Sequence, residues 1–430
     1  MKIDIIKYLL RANFYALTKD YDNALYCYMK AIISDIKPTS KLIDYNLKIE
    51  KITDKICDDF CKKFKYIDIK TYESKKILIL CSEIYDFGGH TEIALNYINS
   101  FCGDYKILFY LTNIFHNDEK FAAVKSQKIK TSVEDYYLSS SNTSYIEKIF
   151  ELYNYIIENK ITTINVNMHM NDVVACAVLY LVQKYTNINV IFWNHADHFY
   201  SLGTDYCDKL VTRCKNGQSI TPYLINNKKV IQMPFLIAEK DYKCHDNIRE
   251  KLNIPKDSFV TLTGCRISKL SDSYFSLIKK VLNENKNIYH ILVTNCEPKI
   301  INKLQKKYKL NSERFILQNV TPYFDDYINA SNLYIDSFPQ GSALTLVDCI
   351  KYSVPVAVKI NKEFPIKSFE EYLYPSYELA SETEKGLFDI ILNISNDLTF
   401  YKLMKSKVYD YFKNTYSLEH TLSKYEELIK

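Results

Sequence analysis

The spacing of hydrophobic positions changes at about residue 75. Before that point apolar residues recur every three or four positions, and Tyr21, Ala24, Tyr28 and Ala31 fall on one face of a helix predicted over residues 19–35. The preceding run LLRANFYAL predicts a partner helix, and residues 41–65 are expected to contain a further one. The pattern therefore predicts a helical segment over residues 1–70.

After residue 75, short apolar runs alternate with helical patterns. The predicted strands of this series are KKILILCSEI, KILFYLTN, ITTINVNMH, NVIFWNH, YCDKLVTR and KKVIQMP. Continuous apolar runs are typical of strands buried in a parallel sheet, and regular strand–helix alternation predicts a doubly wound sheet. A charged stretch over residues 238–257 separates this series from a second one, whose strands include DSFVTLTG, IYHILVTNC and NLYIDSF.

These patterns predict an α/β fold of two Rossmann-like domains that face a cleft, with an α-helical segment in front. The expected domains are residues 1–70 (helical), 71–238 (acceptor domain), 239–395 (donor-nucleotide domain) and 396–430 (closing helices). In doubly wound sheets, ligands bind beyond the carboxyl ends of the strands. Candidate residues are therefore sought where strands end.

The amino-acid composition argues against several classes of protein. Of the 430 residues, 47% are hydrophobic and 25% charged, which excludes a disordered or fibrous chain. The formal charge of +5 is spread along the chain, which argues against a dedicated nucleic-acid-binding protein. The 12 cysteines form no CxxC pair, and no uncharged run is long enough to cross a bilayer. We expect a cytoplasmic enzyme, with peripheral membrane association and oligomeric state left open.

A turn of small residues lies in the second series, between the predicted strand NLYIDSF and the next helix. Residues 341–345 read GSALT, and a helix that starts with small residues exposes backbone N–H groups that suit a diphosphate. The Thr345 hydroxyl can add a hydrogen bond, and Asp348, one turn later, can accept from ribose hydroxyls. Neither series contains the G-x-G-x-x-G fingerprint expected of a dehydrogenase.

The stretch from Asn332 to Val358 resembles the donor-binding segment of GT-B glycosyltransferases. The likeness is greatest to the family of protein O-linked N-acetylglucosamine transferases, in which tetratricopeptide repeats precede a GT-B core. The helix over residues 19–35 is similar to the second helix of such a repeat. The residues that carry the resemblance are Asp336, Pro339, Gly341 to Thr345, Asp348 and Pro355.

The resemblance implies a nucleoside diphosphate sugar as donor substrate, most simply a UDP-sugar, with no cofactor and no metal. It also implies a basic residue near the diphosphate, after the first strand of the second series, where GCRISKL offers Arg266 and Lys269. The alternative is a basic loop that faces solvent. The candidate donor-binding residues are Arg266, Lys269, Gly341, Ser342, Ala343, Thr345 and Asp348.

Two histidine-containing loops follow strands of the first series. In FGGH, Gly88 and Gly89 would let the backbone approach a sugar or phosphate, and His90 is a candidate general base because imidazole titrates near neutrality. The alternative for His90 is a helix cap. In NHADHF, His195 and Asp197 are candidate catalytic residues and His198 a candidate acceptor contact. A structural histidine or a metal site are the alternatives there.

The expected function is transfer of a hexose-type sugar to a glycan or a lipid-linked acceptor in surface polysaccharide synthesis. A protein side chain is the alternative acceptor. A nucleotide-sugar epimerase of the same fold, and a non-catalytic helical scaffold with a vestigial nucleotide site, are further alternatives. His116, His245, His290 and His420 stand alone and are expected to be structural or surface residues, and Asp325 and Asp326 are expected to lie at a helix start.

Overall fold

The computed structural model describes residues 3–34, 51, 53–59, 65–69, 75–86, 89–115, 123–194, 201–212, 229–237, 244–295, 297–310, 313–360 and 373–429. The chain forms two compact units. Unit 1 comprises Met1–Pro234 with Leu422–Lys430, and unit 2 comprises Phe235–Thr421.

Unit 1 begins with a helical hairpin. Helices α1 (Ile3–Leu17) and α2 (Tyr21–Ile33) pack against each other, and the Asp20 carboxylate caps α2 by accepting from the Asn23 backbone N–H. Ala24 and Tyr28 are fully buried, so the predicted apolar face of α2 is the one that packs. The predicted N-terminal helical segment is confirmed for this hairpin. Residues 53–59 are also helical.

A seven-stranded parallel sheet forms the centre of unit 1, with strand order β3-β2-β1-β4-β5-β6-β7. Strand β1 lies inside the sheet, where Ile77 pairs with Ile107 on one side and with Thr163 on the other. The elements are β1 (Lys76–Cys81), α3 (Gly89–Phe101), β2 (Lys106–Leu111), α4 (Ala123–Lys130), β3 (Asp135–Leu138), α5 (Tyr145–Glu158), β4 (Thr163–Asn167), α6 (Val173–Tyr185), β5 (Asn189–Trp193), β6 (Lys209–Thr212) and β7 (Lys229–Gln232).

Local sequence signals fix where the helices of unit 1 begin. Ser144 and Glu147 form a capping box at the start of α5, in which each side chain bonds the other residue's backbone N–H. Asp172 caps α6 by accepting from the Ala175 N–H at 2.8 Å. The nine buried residues of α6 include Val173 and Leu181, so this helix packs on nearly all sides. Both helices were predicted from the sequence.

Unit 2 contains a six-stranded parallel sheet with the order β10-β9-β8-β11-β12-β13, the same winding as in unit 1. Its elements are α7 (Ile248–Lys251), β8 (Phe259–Gly264), α8 (Asp272–Glu284), β9 (Ile288–Val293), α9 (Pro298–Tyr308), β10 (Phe315–Gln318), α10 (Phe324–Ala330), β11 (Leu333–Ile335), α11 (Leu344–Lys351), β12 (Val356–Lys359), β13 (Ala380–Ser381), α12 (Glu384–Asn396) and α13 (Leu398–Thr415). The predicted α/β class with two doubly wound sheets is confirmed.

The closing helices divide between the two units. Helix α13 packs against α11 in unit 2, whereas the end of α14 (Leu418–Ile429) packs against the sheet of unit 1. There the Tyr425 ring stacks on Trp193 with ring centres 5.1 Å apart, and Lys209 Nζ donates to the Leu428 carbonyl at 2.6 Å. None of the helices in the described ranges combines the length and apolar content that crossing a bilayer requires.

Candidate functional site

The loop after β8 and the turn before α11 lie together at the carboxyl end of the unit 2 sheet. Strands β8 and β11 are neighbours in this sheet, so the segments that follow them meet. Leu270 forms an isolated bridge with Pro339, and the Ser271 N–H donates to the Phe338 carbonyl at 3.0 Å. Lys269 Nζ donates to the Gly341 carbonyl at 3.1 Å. The structure therefore brings together two segments that the sequence analysis selected separately.

A buried carboxylate holds this turn in shape. Asp336 is 1% exposed, and its Oδ1 accepts the backbone N–H groups of Ser337 and Ser342, each at 2.9 Å. Burial raises the pKa of Asp336 to about 6, against the opposing effect of these N–H groups and of Lys269. The Ser342 hydroxyl lies 3.2 Å from the Tyr334 hydroxyl. The backbone N–H and the hydroxyl of Ser342 thus both form hydrogen bonds within unit 2, and Ser342 stabilises the turn.

The two basic candidates occupy different environments. Lys269 is half-buried, and burial lowers the pKa of its ammonium group, while the nearby Asp336 carboxylate opposes this shift. Arg266 is exposed and precedes the short 3-10 helix Ile267–Lys269. Lys269 therefore organises the turn through its bond to Gly341, whereas the Arg266 guanidinium is presented to solvent.

Helix α11 begins at this turn and carries two polar side chains in its first two turns. Its N-cap is Ala343, which has no capping side chain, and the first N–H groups of a helix have no partner within the helix. Thr345 and Asp348 are half-buried, in the first and second turns. A helix start without a side-chain cap, contacted by Lys269 through Gly341, has the positive charge that favours an anion.

Gly264, at the end of β8, is needed for packing. A Cβ atom built there would lie 2.3 Å from Cζ and 2.6 Å from Cε2 of the Phe324 ring. A glycine at the end of a strand can leave room for a ligand to approach the backbone. At Gly264 the space is filled by an aromatic ring from the start of α10.

A second group of polar residues lies at the carboxyl end of the unit 1 sheet. Glu83 and Tyr85 follow β1, His169 follows the adjacent strand β4, and His90 is in the first turn of α3. The Tyr85 hydroxyl donates to the Glu83 carboxylate and lies 3.1 Å from His169 Nε2. The His90 and His169 rings stack, with centres 5.1 Å apart and planes inclined by 21°.

The hydrogen bonds of Tyr85 determine the tautomer of His169. A phenol has a single O–H, and Tyr85 uses it on the Glu83 carboxylate. The contact with His169 must then be made by an Nε2–H donor, so a neutral His169 ring carries its hydrogen on Nε2. In that tautomer Nδ1 is the ring nitrogen that carries no hydrogen. This is the arrangement of a base that is oriented by a second group.

A buried ionic network lies beneath these histidines. The fully buried Asp172 carboxylate accepts from the hydroxyls of Ser82 and Thr112, each at 2.6 Å, and Ser82 Oγ in turn accepts the His169 backbone N–H at 2.8 Å. Lys148, also fully buried, donates to the carbonyls of Thr112 and Asn113 at 2.9 and 2.8 Å. Burial lowers the pKa of Lys148 to about 8 and raises the pKa of Asp172.

The predicted residues of unit 1 are only partly described. Gly89 begins α3 and His90 follows it, whereas Gly88, His195, Asp197 and His198 lie outside the described residues, as does His116. His169, Glu83 and Tyr85 were missed in the sequence, although Glu83 and His169 lie at the ends of predicted strands and Tyr85 follows one. Their position at the ends of β1 and β4, two neighbouring inner strands of the sheet, is the feature by which these residues could have been recognised.

His290 has a structural role. Its ring is fully buried, with Nδ1 2.8 Å from the Thr261 hydroxyl and Nε2 2.8 Å from the Tyr274 hydroxyl. Burial lowers the pKa of His290 to about 3, so the ring is neutral.

Asp325 and Asp326 lie in the first turn of α10, and the Asp326 carboxylate accepts the backbone N–H groups of His245 and Asp246. Within the described ranges no group of three His, Cys, Asp or Glu residues is placed to hold a metal ion.

No protein-family model and no curated protein sequence matches the chain. Solved structures do match. An O-GlcNAc transferase of Thermobaculum terrenum is 12% identical, with a TM-score of 0.55 over 99% of this chain and 84% of its own. HepE of Anabaena, solved with UDP and glucose, is 13% identical, with a TM-score of 0.64 over 82% of this chain and 98% of its own.

The pneumococcal O-GlcNAc transferase GtfA, solved with UDP and GlcNAc, is 10% identical, with a TM-score of 0.60 over 83% of this chain and 99% of its own. At these identities the likeness concerns the fold. The two doubly wound sheets and the near-complete coverage of the matched chains show that this chain has the GT-B fold, with a helical hairpin at its N-terminal end.

Proposed function

We propose that this chain is a glycosyltransferase that takes a sugar from a nucleoside diphosphate donor bound by unit 2. The observation that carries the proposal is the bond from Lys269 Nζ to the Gly341 carbonyl, which joins the basic loop after β8 to the uncapped start of α11. Anionic diphosphates suit a helix start supplemented by cations. Structures of the same fold were solved with UDP and a sugar, which supports a UDP-sugar as donor.

The environment of each described residue in unit 2 indicates which part of the donor it would contact. Arg266 is exposed and meets the diphosphate, with the backbone N–H groups of Ala343 and Thr345 at the helix start. Lys269 holds the turn and adds positive charge, which favours departure of the nucleoside diphosphate as its negative charge develops. The Thr345 hydroxyl and the Asp348 carboxylate complete the contacts, the latter to ribose hydroxyls. No metal ion is needed in this scheme.

The acceptor hydroxyl is deprotonated in unit 1 by one of the two stacked histidines. His169 is oriented through Tyr85 and Glu83, and its Nδ1 is the accepting nitrogen. His90, stacked on the same ring, is the other candidate base. Either imidazole in its neutral form can accept the proton of an acceptor hydroxyl, so each of the two is a candidate base.

The proposed acceptor is a glycan or a lipid-linked glycan of surface polysaccharide synthesis. A protein acceptor is the less favoured alternative, because the hairpin of α1 and α2, as far as the structure describes this segment, provides little concave surface. An epimerase of the same fold requires no acceptor. The products of the reaction therefore distinguish these functions.

A donor screen tests the proposal. The full chain is incubated with UDP-, GDP- and CMP-sugars, with and without a pool of glycan acceptors, and the nucleotide and sugar products are identified by NMR. We expect release of a nucleoside diphosphate from one donor class, faster when acceptor is present. Interconversion of the donor sugar without release would identify an epimerase. Binding of a nucleotide without any turnover would identify a scaffold.

The histidine pair is tested with the donor that the screen identifies. His169→Asn and His90→Asn remove one candidate base each, and we expect the variant that lacks the true base to lose about 100-fold or more in kcat. Tyr85→Phe removes the hydroxyl that orients His169, so it should lower kcat and displace the pH–rate profile while the donor KM stays the same. His420→Asn, at an exposed histidine of α14, is the control. Equal kcat values for all four variants would contradict the assignment.

A further inference from the structure

Helix α1 carries a row of exposed apolar side chains on its outer face. Ile6, Leu10, Phe14 and Leu17 are 39%, 65%, 62% and 84% exposed, and we call these four residues the outer stripe. Their spacing of four, four and three residues places them on one face of a helix with 3.6 residues per turn. Single exposed apolar residues are ordinary, but a continuous row on one helix face marks an interaction surface.

The outer stripe is distinct from the face by which α1 joins the fold. Ile5 and Ala12 are buried at 4% and 0% exposure, and the Asn13 side chain accepts from the Tyr28 hydroxyl of α2 at 3.1 Å. Helix α2 in turn contacts α5 and α6, and the Asp22 carboxylate accepts the Ile146 N–H at 3.0 Å. The hairpin is therefore anchored to unit 1 by other residues, and α1 has a second apolar face.

The size of the outer stripe argues against a second copy of the chain as its occupant. Taking about 200 Å² for a fully exposed Leu, Ile or Phe side chain, the exposed fractions correspond to roughly 500 Å² of apolar surface. Stable dimers bury about 800 Å² on each partner, more than the stripe provides. A bilayer surface has no such minimum, because apolar insertion and electrostatic attraction add.

The charges beside the outer stripe favour an anionic surface. Lys7 and Arg11 are exposed and each follows a stripe residue by one position, so they lie along one flank of the stripe. Two copies paired through the stripe would bring these cations close to one another, which is unfavourable. Anionic lipid headgroups attract them, and the long side chains can hold their charges in water while the stripe is buried.

We propose that α1 lies on the surface of an anionic lipid bilayer, with Leu10, Phe14 and Leu17 inserted at the headgroup boundary and Lys7 and Arg11 against the headgroups. This docking requires no nucleotide, so it can be tested independently of the proposed transferase activity. If the acceptor is lipid-linked, docking places the enzyme on the surface that holds it.

Sedimentation with vesicles tests the proposal. The full chain is mixed with vesicles of phosphatidylcholine alone or of an equal mixture with phosphatidylglycerol, and bound protein is measured at low and high salt. We expect binding to the anionic vesicles that weakens with salt. The variant Leu10→Gln/Phe14→Gln/Leu17→Gln should bind at least about tenfold more weakly. Lys7→Gln/Arg11→Gln should reduce binding to anionic vesicles to the level seen with neutral ones.

Two control variants make the result specific. Leu398→Gln/Leu403→Gln changes leucines of α13 that are 63% and 49% exposed, and it should bind as the unaltered chain does. Lys299→Gln/Lys303→Gln/Lys306→Gln removes exposed lysines of α9, another basic surface, and should also bind normally. Unfolding midpoints and donor binding of the α1 variants should match those of the unaltered chain, since the stripe is exposed and lies in unit 1.

Three results would overturn the proposal. The first is absence of binding to anionic vesicles by the unaltered chain. The second is vesicle binding that survives the α1 triple substitution but is lost when the α9 lysines are replaced. The third is a stable dimer in analytical ultracentrifugation that the α1 triple substitution dissociates, because the stripe would then be occupied by a second copy.

Discussion

Replacing Asp172 with Ala should strongly destabilise unit 1. The Asp172 carboxylate is fully buried and accepts three hydrogen bonds, from the hydroxyls of Ser82 and Thr112 at 2.6 Å and from the Ala175 N–H at 2.8 Å. It is also electrostatically coupled to the buried Lys148 ammonium. Alanine would leave three donors unsatisfied and would weaken the electrostatic stabilisation of the Lys148 ammonium group.

The magnitude follows from these losses. Each unsatisfied buried donor costs about 1–3 kcal/mol, so three of them would cost about 3–9 kcal/mol if the site stayed rigid. Because the site can relax, we expect a loss of about 4 kcal/mol in the free energy of unfolding. Asp172→Asn keeps the size and an accepting oxygen, and should cost about half as much.

The single tryptophan of the chain provides the assay. Trp193 lies in β5 of unit 1 and is 3% exposed, so its fluorescence in urea follows unfolding of unit 1. With a slope of about 2–3 kcal/mol per molar urea, the Ala variant should unfold at a urea concentration lower by about 1.5 M. A second readout is turnover, because Ser82 also accepts the His169 N–H. Donor affinity in unit 2 should not change.

Two results would refute this reasoning. An Asp172→Ala midpoint within experimental error of the unaltered chain would show that the carboxylate is not needed where the structure places it. Equal losses for the Ala and Asn variants would show that the lost hydrogen bonds are not the cause. A double-mutant cycle with Lys148→Met should give a coupling free energy of about 1 kcal/mol or more, since the two charges share one network.

Two further predictions concern the stability of unit 2, which is measured by amide hydrogen exchange of β11 after correction for intrinsic exchange rates. The pKa of Asp336 is raised to about 6, so the folded state holds the carboxyl proton more tightly than the unfolded state does. The resulting contribution to the stability of unit 2 is fully present below about pH 4 and is lost as the pH rises through about 6. Unit 2 should gain about 1.4 kcal/mol between pH 8 and pH 5, and Asp336→Asn should remove most of that gain, whereas an unchanged profile would contradict the assignment. Gly264→Ala forces a Cβ into the half-buried Phe324 ring and should cost about 1 kcal/mol, recovered by adding Phe324→Leu. Unchanged stability with weaker donor binding would mean instead that Gly264 gives room to the ligand.

Most of the fold could be predicted from the sequence because the apolar runs are strong and local. KILILC in β1 and KILFYL in β2 are buried almost throughout, as continuous apolar strands of parallel sheets are. The helix starts at Ser144 and Asp172 follow from capping side chains that act within a few residues. Local chemistry of this kind can be read without knowing the tertiary structure.

Candidate site residues could be proposed from the sequence where one segment carries the signal. The turn at 341–345 was selected for its own small residues and Lys269 for its position after a strand, and the structure places the two segments in contact. The contact between His90 and His169 was not found, because it joins residues far apart in the sequence. It arises from the adjacency of β1 and β4, which depends on the strand order. The packing role of Gly264 was also hidden, since the ring that fills the space comes from α10.

Calorimetric titration of UDP tests the central claim most directly, namely that the start of α11 and the loop after β8 bind the diphosphate of the donor. The unaltered chain should bind UDP, Arg266→Gln should bind it about tenfold more weakly, and Thr345→Val a few-fold more weakly. Lys280→Gln, at an exposed lysine of α8, should bind as the unaltered chain does. Failure of the chain to bind any of UDP, GDP or CMP, or equal affinities for the Arg266 and Lys280 variants, would contradict the account.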